Sequence, residues 1–192
     1  MRKIRGFKLN LRLKEAQRRA KKAKLDLAAQ NLGTDAELTA LLSEFSKSAQ
    51  ASVLFDSLPA EDSALSPLPG SAFSVGLASL GPDTGLFSER NILASSAPTE
   101  RREFWDIVSR CALEDATQFA LALIEEEAKE EQCELSPLQY LTDPSILQAA
   151  LSRLEGHKIG VTLSPKGLRP IHSLAFSLSW LARSKSRATP PR

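Results

Sequence analysis

From Ser136 to Trp180 the chain runs through loop, helix, strand and strand with almost no slack between them. The loop reads S-P-L-Q-Y-L-T-D-P. Pro144 then opens a helix that runs through Leu154 and closes at Gly156. Ile159 to Leu163 is β-branched enough for a strand. Gly167 marks a turn, Pro170 suits a strand entry or edge, and Ile171 to Leu181 is apolar enough for a strand or a short buried helix. A helix of about ten residues advances about 15 Å, and the following strand returns a similar distance. The spacing therefore predicts that the 136–143 loop and the 166–173 turn lie side by side at one edge of a sheet. Tyr140, Arg169, Pro170 and His172 would converge there on a groove.

Upstream, Leu13, Ala16, Ala20, Ala23 and Leu27 mark one apolar face of a helix over about 11–31, with Gly33 placed for a left-handed C-terminal turn. Thr34 and Glu37 have the spacing of a capping box. Leu38, Leu41, Leu42 and Phe45 give the next helix its buried stripe. Ala51 to Phe55 reads as a strand, 57–70 as a Pro/Ser-rich connection, and Ala72 to Leu80 as a second strand. Gly81-Pro82-Asp83-Thr84-Gly85 reads as a plain turn, with a backbone-amide anion cradle as the other reading. A short helical piece follows near Phe87 to Leu93. Thr99 is placed to cap a long helix to about Gln132, with Phe104, Val108, Cys111, Ala112, Ala116, Phe119, Ala120, Leu123 and Ile124 inward. The acids at its end, Glu125 to Glu131, read as a solvated face. The fold class is α/β in the broad α+β sense: a mainly antiparallel twisted sheet with flanking helices. The organisation is a basic helical arm over 1–33, a domain over 34–183 and a disordered tail over 184–192.

A net charge of +2 conceals strong segregation. Residues 1–24 carry eleven Lys or Arg and one acid, Glu15, whereas 25–182 carry ten basic and twenty-two acidic residues. The basic end either packs on the protein's own acidic surface or meets a phosphate-bearing partner such as RNA. Phe7 is the one aromatic in that arm, which argues against base stacking and makes nucleic acid an unfavoured partner. No apolar run approaches the roughly 20 residues of a membrane span, and the N-terminus lacks a secretory signal's apolar core. Cys111 and Cys133 fit reduced thiols of a cytoplasmic protein, with no metal-ligand spacing.

No dinucleotide, phosphate-loop, zinc-protease or nucleophile-elbow motif is present. His157 and His172 have no ligand partner at metal spacing and read as surface or structural residues.

The order in the last third resembles the activation (reactivation) domain of cobalamin-dependent methionine synthase and small stand-alone proteins related to it. There, a loop containing Pro, Gly and Tyr precedes a helix; a strand of the type I-G-V-T-L leads to a Pro-x-x-Ser turn and a final apolar strand. This chain has Ser136, Pro137 and Tyr140, then Ile159-Gly160-Val161-Thr162-Leu163, then Pro170 and Ser173. The resemblance implies an accessory of corrinoid chemistry whose S-adenosylmethionine site comprises Ser136, Pro137, Tyr140, Arg169, Pro170, His172 and Ser173. It implies a corrinoid (cobalamin-binding) protein as partner, cobalamin reached only through that partner, and a flavoprotein as electron source.

The family's Arg, which forks onto the ligand carboxylate, has no counterpart upstream of Tyr140, and Leu138-Gln139 stands where Gly is expected. S-adenosylmethionine binding is accordingly expected to be weak or lost. Two other readings stand beside this one: a non-enzymatic adaptor that kept the fold, and an RNA- or phosphate-binding protein using the basic arm.

Overall fold

The computed structural model describes residues 1–60 and 65–183; the tail expected over 184–192 and residues 61–64 of the Pro/Ser-rich connection lie outside the described residues. The fold is α+β, with five helices flanking an antiparallel sheet of six strands among the described residues. The sheet order is β1 (Arg2–Arg5), β2 (Ser52–Pro59), β3 (Ala72–Ser79), β8 (Ser173–Ala182) and β4 (Cys133–Leu135). Strand β5 (Gln139–Leu141) shares the β4 edge of β8.

Period-two alternation divides the core in two. Val53, Phe55, Ala78, Phe176, Leu178 and Trp180 face a layer made by α1 (Leu13–Lys22), α2 (Asp35–Ser48) and α4 (Pro98–Glu130). Leu54, Leu58, Phe73, Val75 and Leu77 face α5 (Pro144–Leu154) on the other side. Both faces are covered, so β8 is buried from Ala175 to Trp180, and the choice between strand and helix over 171–181 is resolved as strand. Gly76 is the register partner of Phe176. A β-carbon at Gly76 would stand 2.3 Å from Phe176 Cζ, so the aromatic ring occupies the space that the glycine leaves.

Several boundaries differ from the sequence expectation. The chain begins with a strand, not a helix: β1 pairs with β2, and its Arg2, Lys3 and Arg5 guard the sheet edge with charge. Helix α1 stops at Lys22 because Lys24 turns left-handed (φ 60°), with Leu25 N–H bonded to Ala20 C=O and Lys24 N–H to Lys21 C=O. Asn31 (φ 56°), not Gly33, makes the later left-handed turn. The Thr34–Glu37 capping box forms, with Glu37 N–H 3.2 Å from Thr34 Oγ1 and Thr34 N–H 3.0 Å from Glu37 Oε2. Strand β2 continues to Pro59. The 81–85 pentapeptide is neither turn nor cradle. Gly81 is the N-cap and Pro82 the first residue of α3 (Pro82–Leu93).

Helix α4 begins at Pro98 with Ala97 as N-cap, so Thr99 lies inside the first turn. Proline opens a helix there because that N–H would be unpartnered anyway. Phe119 faces out rather than in and stacks on Phe7 of the arm, with ring centroids 4.4 Å apart. At the end of α5, Glu155 takes the left-handed position assigned to Gly156. Ile159 to Leu163 is not one strand. A 3₁₀ turn over Gly156–Ile159 ends at left-handed Gly160, and β6 (Thr162–Ser164) pairs with β7 (Gly167–Arg169) in a separate hairpin.

The arm belongs to the common core, since Leu9, Ala16 and Leu32 join the cluster that contains Phe104 and Phe176. Arg19 clamps Glu114 of α4 with two bonds of 2.9 and 2.6 Å, and Asn10 N–H reaches Asp115 at 2.7 Å. Ala20 is fully buried. Ala20→Asp places an unpaired charge there and is expected to lower Tm by at least about 5 °C. An unchanged thermal melt would show that the arm is loose.

Candidate functional site

A cleft of about 990 Å³ opens between one face of α4, the β5 edge and the segment from Lys166 to Ala175. Its volume is that of a drug-sized ligand site. Three segments supply its polar groups named below, and α5 adds Leu147. Asp106, Ser109, Arg110, Leu113 and Glu114 recur at helical spacing on α4 and make one wall. Strand β5, held by pairing with Ala175 to Ser177 of β8, presents Tyr140. The β6–β7 hairpin and the approach to β8 supply Lys166, Arg169, His172 and Ser173. Leu141, Leu147, Leu168 and Leu174 give the cleft an apolar lining.

Tyr140, Arg169, His172 and Ser173 therefore share one cleft. Ser136 and Pro137 do not line it. Ser136 is buried and bridges the gap between β4 and β5. Its Oγ accepts the Ser179 N–H at 2.9 Å, and its own N–H bonds Ser179 C=O at 2.8 Å. It sits instead at a separate hollow of about 370 Å³ with Leu135 and Leu138. Pro170 lies between two lining residues without lining the cleft itself.

His172 is held rather than solvent-facing, with 8% of its surface exposed. Thr84 Oγ1 donates to Gly81 C=O at 3.0 Å and so can only accept from the ring, and His172 Nδ1 stands 3.0 Å away. That assigns the proton to Nδ1. Nε2 has no protein partner among the described residues. Burial holds the imidazole below its ordinary 6.5, with Asp106 pulling weakly the other way. Ser173 Oγ donates to Ser79 Oγ at 2.9 Å, tying the start of β8 to β3. Burial also pushes the Cys111 thiol and the Tyr140 phenol up, leaving neither an activated nucleophile at neutral pH.

The α4 wall was not among the residues expected at the site from sequence. Ser109 and Arg110 were hidden in a helix whose apolar stripe drew attention to the other face. The available signal was the polar run Asp106, Ser109 and Arg110 beside Leu113. No helix among the described residues is long and apolar enough to cross a membrane. A scan against models of protein families finds no match to this chain, and a search of curated proteins finds none either.

The depressed histidine gives a pH dependence of definite sign. As pH falls below 6.5 the unfolded chain takes up the proton before the folded one does. The stability present above the ordinary value is thus lost as pH falls through the folded value. Urea denaturation from pH 7 to pH 5 should show a steeper loss for the wild type than for His172→Asn, whose amide preserves a donor to Thr84. Equal slopes would contradict the assignment.

Proposed function

We propose that this chain is an accessory protein of the methionine-synthase activation-domain kind, which docks on a cobalamin-bearing protein and contributes binding and orientation rather than acid–base catalysis. The observation that supports this reading is the convergence of parts of its two resembling segments: Tyr140 of β5 lines one cleft with Arg169, Ile171, His172 and Ser173. At and beside the mouth, Tyr140 and Ile171 are 48% and 63% exposed, and Leu86 of α3 is 64% exposed. Ile171 rests against Gly85, one residue from Leu86. A partner seated there would cover this apolar rim. In this reading the corrinoid supplies the reactive metal, a flavoprotein supplies electrons, and the setting is cytoplasmic.

S-adenosylmethionine fits the cleft poorly. Arg169 could hold its carboxylate, but the ligand also carries a sulfonium and an ammonium, and the cations lining the cleft oppose both. No step of the proposed function is therefore routed through it. The basic outer face of α1, with Lys14, Lys21 and Lys22 opposite buried Ala16 and Ala20, keeps phosphate or RNA binding as the second reading. A steep salt dependence of RNA binding would favour it.

The test uses the cobalamin-binding domain of a methionine synthase, loaded with hydroxocobalamin and immobilised. The expected result is binding that Ile171→Asp weakens at least about tenfold, a loss of about 1.4 kcal/mol. No binding at about 100 μM would overturn the docking role. Calorimetry with S-adenosylmethionine should give a Kd above about 100 μM, and a low-micromolar constant would show a rebuilt site.

A further inference from the structure

The cleft has a charge opposite to that of the body that carries it. Residues 25–182 hold ten basic and twenty-two acidic residues, yet Arg110, Lys166 and Arg169 line this one cavity. None of the three makes an ion pair among the described residues. Two acids share the lining, Asp106 and Glu114. Glu114 is already neutralised by the two-bond clamp from Arg19, which leaves Asp106 as the counter-charge. The cations come from two separate elements, Arg110 from α4 and Lys166 and Arg169 from the β6–β7 hairpin. Like charges brought to one apolar-lined cleft repel one another unless an anion enters between them.

Two polar groups in the same lining have no protein partner among the described residues. Ser109 is 3% exposed, and its Oγ has no hydrogen bond, not even to the preceding helical turn. His172 turns Nδ1 to Thr84 and leaves Nε2 without a protein partner among the described residues. Ser109 Oγ is itself covered, so the polar groups open to an anionic ligand are the three cations and the His172 ring that lines the cleft. Leucines 113, 141, 147 and 168 then offer apolar contact to the rest of such a molecule.

We propose that the cleft binds an organic anion, a carboxylate- or phosphate-headed small molecule with an apolar body, and discriminates against S-adenosylmethionine because of that ligand's net positive charge. The head meets Arg110, Lys166 and Arg169, and the acidic surface elsewhere steers anions to this opening. The assignment rests on the cleft alone, so it stands or falls separately from docking on a corrinoid protein.

The test is an NMR titration of the full chain at low ionic strength with phenyl phosphate, benzoate and uncharged benzyl alcohol, and with S-adenosylmethionine in parallel. At least one anion should bind tenfold or more tightly than the alcohol and the sulfonium ligand, with the His172 ring resonances shifting. The stronger of the two anions identifies the head as phosphate or carboxylate. Arg169→Ala, an exposed change that leaves the core intact, should weaken that anion at least fivefold. The arm variant Lys21→Ala/Lys22→Ala should leave it unchanged. The proposal is overturned if neither anion binds at 10 mM, if the alcohol binds as well as the anions, or if S-adenosylmethionine binds more tightly. It is equally overturned if the arm variant, rather than Arg169→Ala, removes binding.

Discussion

The Phe176 ring lies over Gly76, its partner across the β3–β8 ladder, in space that any β-carbon would fill. This contact sets the register of β8, since a slip of one residue would turn every side chain of the strand to the opposite face. The register then fixes which β8 groups are offered at the far edge. Residues 175–177 pair with β5, and residues 180–182 pair with β4. Pro137 has no N–H to give, and Ser136 fills the interval by bonding Ser179 on both sides. Tyr140 reaches the cleft because β5 is pinned in this way. Arg169, Ile171, His172 and Ser173 reach it because they lie on the approach to the same strand or at its start.

Helix α4 supplies the opposing wall and gives the cleft its electrostatic character. Its inward residues build the core under the sheet, and the face turned toward the cleft carries Ser109, Arg110 and Glu114. The arm has a part in this despite its distance in sequence. Arg19 removes Glu114 from the charge balance, so the cations around the opening outweigh Asp106. The segregation of charge along the chain thus serves two ends: part of the basic arm neutralises acids of the body, and the outer face of α1 remains free.

Much of the framework was legible because it rests on local chemistry. The Thr34–Glu37 box, the buried Leu38–Phe45 stripe, the α4 core residues and the Pro144 start of α5 are each written within a few residues. The β5 edge and the 166–173 segment do share a cleft, but the strand return over Ile159–Leu163 behind that expectation does not exist, and a 3₁₀ turn and a hairpin bring the chain back instead. What escaped was set by tertiary context. Strands β1, β4 and β5 are three or four residues long, below the length at which alternation is visible. The stretch I-G-V-T-L looked like a single strand, but Gly160 enters the left-handed region and splits it into a turn and a hairpin strand. Lys24 and Glu155 adopt left-handed turns that composition assigns to glycine. Ser136 was expected at the ligand only because the resemblance implies it. Its bond to Ser179, more than forty positions away, was invisible. The cationic lining of the cleft escaped for the same reason, since Arg110 and Arg169 meet only after folding.

Amide hydrogen exchange measured residue by residue tests the central claim that β8 organises both the sheet and the cleft. With β3 on one edge and β4 and β5 on the other, the amides of residues 174–180 should exchange only through global unfolding. They should be the slowest in the protein, with those of β5 protected to a lesser degree. Exchange of the 174–180 amides as fast as the Lys166 turn would contradict the account, because the cleft would then have no fixed strand to hold its walls together.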